Sequence, residues 1–438
     1  MELTHQKITI LGAQRSGWAL ARLVSRLGGQ ARISEKGAMG SVSKDFLDWA
    51  RQHAIPFEFN GHTPSFIGDS DCVVLSPGVS IHAPAVEWAR ARQIPVLGEI
   101  EWAFQFCTKP VIAVTGSNGK TTVVTLIHEV LKKVGYPSCL CGNVGTPLAE
   151  YVLDLADKDF VVLEVSSFQL ESLLDPSSEF RKEAGGGRLC FKGFKPYMAV
   201  ILNFSQNHLD RHKDLQEYFD AKKKIFLNQD AEDYAVLNAR EDRLSRLASQ
   251  IKSQVRYFNS PADSDGEKDN PNFSAVRTVA DILGIKKELC ESVLRSFRGV
   301  EHRMEWVRQV DGIHFINDSK ATTAQAALWA LERLDSPVIM ICGGRDKNID
   351  FSVTTPLVRK KVRKMLAIGE AREKLKKTFE GVVEIEECAT LESAVEKAKK
   401  TARQGDCVLL SPMCASFDMF ADYEERGRRF KEIVHRLI

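Results

Sequence analysis

The sequence has no CxxC pair, no internal repeat, no coiled-coil heptads and no low-complexity tract. No apolar run approaches the ~20 residues that span a bilayer. Charge of one sign is missing too: 60 basic and 58 acidic residues leave a net charge of +2 over 438 residues. Each absence excludes a class. The chain is not a membrane protein spanning by helices, and its balanced charge offers no whole-protein footprint for nucleic acid. The start, MELTHQKITILGAQ, carries neither a basic region nor a long apolar stretch nor a small-residue cleavage site, so a secretory leader is not expected. The ten cysteines are scattered, and several lie inside apolar runs such as VIMIC and CVLLS. They read as free, mostly buried thiols of a reducing compartment. A cytoplasmic protein with small-molecule partners is expected, working as a monomer.

What is present is 44% hydrophobic residues, enough for several ordinary cores. Short apolar runs alternate with helical stretches, the pattern of α/β architecture with parallel sheets. At roughly 150 residues per domain the length allows about three. The first, residues 1–98, opens with KITILG at 7–12, a Gly-bearing turn and a helical stretch, and reads as a Rossmann-like unit. The second, 99–303, has strands at 111–115, 160–165 and 198–203. The third, 304–438, has strands at 313–317, 338–342, 364–368 and 407–411 and again a Rossmann-like order. Two polar stretches, 177–196 with three consecutive glycines and 260–272 with two prolines, read as mobile loops.

The sharpest chemical signal is TGSNGKTT at 115–122, between the strand VIAVT and a helix carrying Val123, Leu126, Ile127, Val130, Leu131 and Val134 on a helical period. Strand, Gly-rich turn and helix N-terminus together cradle phosphates. Gly116 and Gly119 let backbone N–H groups approach, with Ser117, Asn118 and Thr122 in the same loop. Lys120 reaches terminal phosphates, and Thr121 is placed to ligate Mg²⁺. Val114 stands where the general GxxxxGK[ST] pattern has glycine, so the match is to a shorter GxxGKTT form. A P-loop needs a carboxylate for its magnesium, and Glu164 ends the strand FVVLEV at the edge facing the ligand crevice of an open parallel sheet. Ser166, Ser167 and Gln169 follow it. After the next strand, QNHLDRH at 206–212 groups His208, Asp210, Arg211 and His212, a cluster suited to metal or phosphate.

The helix after that cluster places Leu215, Tyr218, Phe219, Lys222, Phe226 and Gln229 on one face, with Lys223 at its edge and Lys224 on the far side. Lys222 is therefore aimed at the apolar interior, where it either loses or pairs its charge or snorkels to the rim. In the third unit NDSKATT (317–323), GGRDKNID (343–350) and SPMCASFDMF (411–420) each follow a strand. Their mixed charges, among them Asp318, Lys320, Arg345 and Lys347, suit a site for anions plus a polar small molecule. GAQRSG at 12–17 lacks GxGxxG spacing, although Glu35 ends the second strand where an NAD-binding acid would stand.

In this order the motifs resemble those of the Mur ligase family of peptidoglycan synthesis, over essentially the whole chain. TGSNGKTT, GNVGTP at 142–147, EVSSFQLE at 164–171 and NHLDRH are shared broadly in that family. NDSKATT and LLSPMCASFDMF with YEERG are the narrower markers, and they resemble members that add D-glutamate to UDP-N-acetylmuramoyl-L-alanine. The resemblance implies an ATP- and Mg²⁺-dependent amide ligase. Arg15, Ser16, Gly17, Glu35, Ser76 and Gly78 would hold the UDP part of the substrate, and Asn143, Ser166, Gln169 and His208 would line the nucleotide-sugar and metal region. Residues 116–122 would bind ATP, joined by Arg303, Asp318, Lys320 and an adenine contact at Asn272 or Asn270. Lys222 falls where relatives carry a lysine carbamylated by CO₂ that helps place a second Mg²⁺. Thr322, Lys347, Ser416 and Tyr423 would meet D-glutamate. Three positions depart from the family pattern: Asn207 for a common Asp, Thr323 for a common Asn, and DNPN at 269–272 for an HN motif. Residues 177–196 stand as an insertion.

Overall fold

A computed structural model describes residues 3–143, 145–178, 180, 191–205, 211–260, 270–297, 299–346 and 349–437. The chain folds into two compact units, Met1–Ser296 and Phe297–Ile438.

The first unit holds two parallel sheets. One has five strands, in the order Phe57–Glu58, Gln30–Ser34, Lys7–Leu11, Cys72–Leu75 and Val96–Gly98. The other has six, in the order Gln254–Phe258, Tyr234–Asn238, Met198–Ile201, Val111–Thr115, Phe160–Glu164 and Ser138–Gly142. Their central strands are apolar along their whole length because helices cover both faces, which leaves no solvated face to alternate with. The two sheets share one continuous hydrophobic core running from Leu3 to Leu247. Ion pairs Arg22–Glu150 and Arg26–Asp154 bind the first helix, Arg15–Arg26, to the second sheet's side of the unit.

The second unit has one six-stranded sheet, in the order Glu305–Val310, Ile313–Asn317, Cys407–Leu410, Val338–Gly343, Val362–Ile368 and Glu384–Glu387. Five strands are parallel, and the first is antiparallel to its neighbour. The antiparallel pair is a hairpin closed by Asp311 and Gly312, both at positive φ (50° and 74°). That is the two-residue turn whose twist matches the strands, and an Asp-Gly step encodes it. The segment WVRQVDGIHFI therefore contains two strands, where the sequence reading has only the second.

Parts of the polar stretches read as mobile loops, residues 179, 181–190 and 261–269, lie outside the described residues, as do His208 and Lys347.

Candidate active site

In both parallel sheets of the first unit the polar motifs gather at the C-terminal strand ends, where open α/β sheets bind ligands. Residues 116–119 leave the strand Val111–Thr115 with Gly116 at φ 152° and Gly119 at φ 84°. A Cβ on Gly116 would touch Leu202 at 3.0 Å. The helix Lys120–Lys133 then starts on Gly119 with no side-chain cap, so its first N–H groups are left for an anion. Asn203 holds the loop from the neighbouring strand end, accepting from the Asn118 N–H at 2.9 Å and donating to its carbonyl at 3.1 Å. Lys120 Nζ donates to the carbonyls of Gly116 (2.8 Å) and Ser117 (3.2 Å), folded over the loop it is expected to serve. Thr121 is buried at the helix start.

Beside this loop, Glu164 is buried at the end of its strand. One carboxylate oxygen accepts from Asn143 Nδ2 at 2.8 Å, and the other has no hydrogen-bond partner among the described residues. A buried, half-satisfied carboxylate is costly in isolation and suits a cation. Among the described residues no three His, Cys, Asp or Glu side chains gather as a cage. Mg²⁺ in phosphate chemistry keeps few protein ligands and takes the rest from phosphate and water, so the donor set here fits it. Ser166 caps the helix Ser167–Glu171 in a capping box with Gln169.

Lys222 is 1% exposed. Its Nζ donates to Gly116 O at 3.0 Å and Thr115 Oγ1 at 3.3 Å, and lies 4.7 Å from the Tyr218 ring centre. Burial, then the charge of Lys120, pulls its pKa well below the ordinary lysine value against the pull of Glu164. Helical period thus locates this lysine correctly, and its burial rules out the snorkelling alternative. Lys224 opens the 3₁₀ turn Lys224–Phe226 that follows the helix Leu215–Lys223, and its Nζ donates to the Glu171 carbonyl at 2.7 Å.

At the first sheet's strand ends, Glu35 accepts from the N–H groups of Ala13 (2.7 Å) and Gly37 (2.8 Å), and Ser76 Oγ donates to Gly12 O at 3.1 Å. Gly17 is obligatory here: a Cβ would fall 1.9 Å from Gly12 O. Arg15 is exposed and Ser16 half-buried at the same turn. Gly78 closes the group, and Arg211 reaches it from the second sheet, donating to the carbonyls of Gly78 (3.1 Å) and Val79 (2.7 Å) while paired with Glu171. His212 is buried against Ser167 Oγ at 3.0 Å and the rings of Phe168 and Tyr218, a structural placement.

The two asparagines named for the adenine contact stand in different places. Asn270 caps the helix Pro271–Ile282, its side chain accepting from the Asn272 N–H. Asn272 faces the phosphate loop, since a Cβ on Gly119 would lie 2.4 Å from its Oδ1.

In the second unit Asp318 is buried, accepting from Met304 N–H and Ser411 Oγ, both at 3.1 Å. Burial pushes its carboxyl up to about 7, with Arg303 opposing. Arg303 stacks on Trp329 with 5.7 Å to the ring centre, and Lys320 lies 5.6 Å from the ring centre of Tyr423. Thr322 follows in the same loop. Ser416 is buried in the loop after Cys407–Leu410, its carbonyl capped by the N–H groups of Met419 and Phe420.

Two acids escaped the sequence reading. Glu99 and Glu101, in the helix Glu99–Phe104 joining the two sheets, are both buried. Glu99 accepts from Ala149 N–H at 3.0 Å, behind GNVGTP, and Glu101 from Leu174 N–H at 2.8 Å, behind EVSSFQLE. Burial lifts Glu99 to about 7 against the help of that N–H. Their signal was two acids inside the apolar run VLGEIEWAF, which supports both motif loops from beneath.

The family described as Mur ligase middle domain matches residues 114–295, and that described as Mur ligase, glutamate ligase domain, matches 302–414. A UDP-N-acetylmuramoylalanine–D-glutamate ligase of Pelodictyon phaeoclathratiforme is 37% identical over 484 residues, covering 100% of this chain and 99% of the relative. One from a Thermoanaerobacter species is 35% identical over 471 residues, covering 100% of both. Among solved structures, the UDP-N-acetylmuramate-alanine ligase MurC from Thermotoga maritima aligns with TM-score 0.54 at 18% identity, over 98% of this chain and 99% of that one. The MurF ligase from the same organism, in complex with ADP, aligns with TM-score 0.53 at 15% identity, over 93% and 96%. At those identities the structures show likeness of fold alone.

Proposed function

The chain belongs to the Mur ligase family, and on that premise we propose that it is the ATP-dependent ligase that joins D-glutamate to UDP-N-acetylmuramoyl-L-alanine. The observation that carries the reading is the phosphate loop with an uncapped helix end beside a buried carboxylate whose second oxygen has no partner among the described residues. The named relatives align over their full length, which favours D-glutamate over the amino acids of sister ligases.

The division of labour follows the sequence units. Residues 1–98 hold the UDP moiety at Arg15, Ser16, Gly17, Glu35, Ser76 and Gly78. Residues 99–303 bind ATP along 116–122 and Asn272, with Asn143, Ser166, Gln169 and His208 towards the sugar. Arg303, Asp318 and Lys320 serve the nucleotide, and within residues 304–438 Thr322, Lys347, Ser416 and Tyr423 meet D-glutamate. All substrate regions come from one chain, so a monomer suffices. The nine described cysteines are free and buried, which suits a reducing compartment.

In the reaction the alanine carboxylate attacks the γ-phosphorus of ATP and ADP leaves. The D-glutamate amine then attacks the acyl phosphate, phosphate departs, and the amide forms. Lys120 leaves its loop carbonyls to neutralise charge on the transferring phosphoryl oxygens. Thr121, Glu164, His208 and a carbamylated Lys222 would hold Mg²⁺, which supplies further neutralisation there. The burial that lowers the Lys222 pKa favours its neutral amine, which attacks CO₂, loses a proton and becomes an anion.

Phosphate release from ATP in the presence of UDP-N-acetylmuramoyl-L-alanine tests the reading. It is expected with D-glutamate and not with L-glutamate or other amino acids. Release that needs no amino acid would instead mark a regulatory NTPase.

A further inference from the structure

Three loops carry the polar clusters of the second unit, and one side chain lies behind all of them. Arg426, in the helix Tyr423–Arg436, is 1% exposed. Its Nε donates to Ser319 Oγ at 2.9 Å, and its Nη2 to Ser319 O at 2.8 Å. Nη1 and Nη2 both donate to Cys414 O, at 3.2 and 3.3 Å. Gly344 packs against the same guanidinium, since a Cβ there would lie 3.3 Å from Nη1. Ser319 belongs to NDSKATT, Gly344 to GGRDKNID and Cys414 to SPMCASFDMF.

A buried cation usually faces a carboxylate, because desolvation is otherwise uncompensated. Here the hydrogen bonds go to one hydroxyl and two carbonyl oxygens, and none of the described carboxylates forms an ion pair with the guanidinium. Burial lowers its pKa to about 10, which leaves it protonated at neutral pH. If the position only filled the core, an apolar side chain of similar volume would do so at less cost. A planar fork with five donors can bond two loops at once, and an ammonium cannot reproduce that span.

We propose that Arg426 is a positioning residue that locks the 317–323 and 411–420 loops in register, so that Thr322 and Ser416 present their hydroxyls to a single dicarboxylic amino acid. The inference rests on the ligase reading and assigns that site its specificity-setting support.

The test compares wild type, Arg426→Lys and Ser319→Ala in the full chain, measuring KM for D-glutamate and for UDP-N-acetylmuramoyl-L-alanine together with the melting temperature. In Arg426→Lys, KM for D-glutamate should rise at least tenfold while KM for the UDP substrate, whose residues lie in the other unit, stays within twofold. Ser319→Ala, which removes the hydroxyl that accepts from Arg426 Nε and donates to the Tyr423 carbonyl but keeps the Arg426 bonds to Ser319 O and Cys414 O, should move KM for D-glutamate the same way by several-fold with only a small drop in melting temperature, and it decides the matter if Arg426→Lys does not fold. Equal rises in both KM values, or an unchanged KM for D-glutamate in a folded variant, would overturn the inference. A wild type that releases phosphate without regard to D-glutamate would instead sink the ligase reading, so the two failures are told apart.

Discussion

Lys120 and Lys222 both direct an ammonium at the carbonyl oxygen of Gly116, at 2.8 and 3.0 Å. Two cations on one acceptor are opposed by Coulomb repulsion, and the buried one yields its proton first. That asymmetry suits the two lysines to different tasks in the proposed reaction: Lys120 to phosphate, and Lys222, whose burial favours the neutral amine, to CO₂. Lys222→Ala should lose most activity, with acetate restoring part of it by occupying the carbamate's place. Turnover without and with acetate checks this, and a fully active alanine variant would refute it. Asp318 poses the opposite case. Its folded-state pKa of about 7 lies above the unfolded 3.8, so its favourable contribution is present below pH ~4 and is lost as pH rises through 7. Asp318→Asn does not ionise, and it keeps the Met304 N–H bond at Oδ1 while its Nδ2 donates to the Ser411 hydroxyl, which turns acceptor. It should therefore raise the melting temperature of the second unit at pH 8, by an amount equivalent to about 1 kcal/mol or more, with little gain at pH 4, while activity falls. A stability gain independent of pH would contradict the assignment. At this scale the sequence made Lys222 legible through helical period. It hid Glu99, Glu101 and Arg426, because the burial of a charge depends on which distant loops need its hydrogen bonds.

Among the elements, the helix Pro271–Ile282 places a capping asparagine and one beside the phosphate loop within three residues. Asn270 satisfies the helix's first N–H groups, and Asn272 faces Gly119. Asn270→Ala should cost about 1 kcal/mol of stability, the usual worth of a cap, with KM for ATP unchanged at a permissive temperature. Asn272→Ala should raise KM for ATP several-fold and leave melting nearly unaltered. Denaturant unfolding and ATP saturation curves distinguish them, and exchanged phenotypes would reverse the assignment. The sequence left this pair open because Asn-Pro-Asn fits either a cap or a contact, and the approach of Asn272 to Gly119 depends on the fold. The antiparallel strand Glu305–Val310 was hidden for a different reason. Its pattern, half-exposed with Trp306 50% exposed, lacks the continuous apolar run that marked the buried parallel strands, and only the Asp311-Gly312 step announces it.

For the whole molecule, the strand-end positions of every motif were readable from the alternation of apolar runs and polar turns, because parallel strands covered on both faces leave a plain apolar signature. How the three sheets are grouped was not. The first two share one core and are tied by Arg22, Arg26 and Arg211, contacts 128 to 133 residues apart in sequence for which no local pattern exists. This grouping has a thermodynamic consequence. Elements that share a core unfold together, and separate cores melt as separate cooperative units. Calorimetry should resolve two transitions, one for residues 1–296 and one for 297–438. Ligands then report which unit holds them, since binding to the native form adds about 2.7 kcal/mol at a hundredfold excess over Kd, or several degrees for units of this size. UDP-N-acetylmuramoyl-L-alanine should raise the larger transition, with the smaller one left in place. D-glutamate, whose proposed contacts lie in the second unit, should do the reverse. Three resolved transitions would show that the shared core of the first unit does not enforce cooperativity, and a shift of the larger transition by D-glutamate alone would move its binding residues out of the second unit.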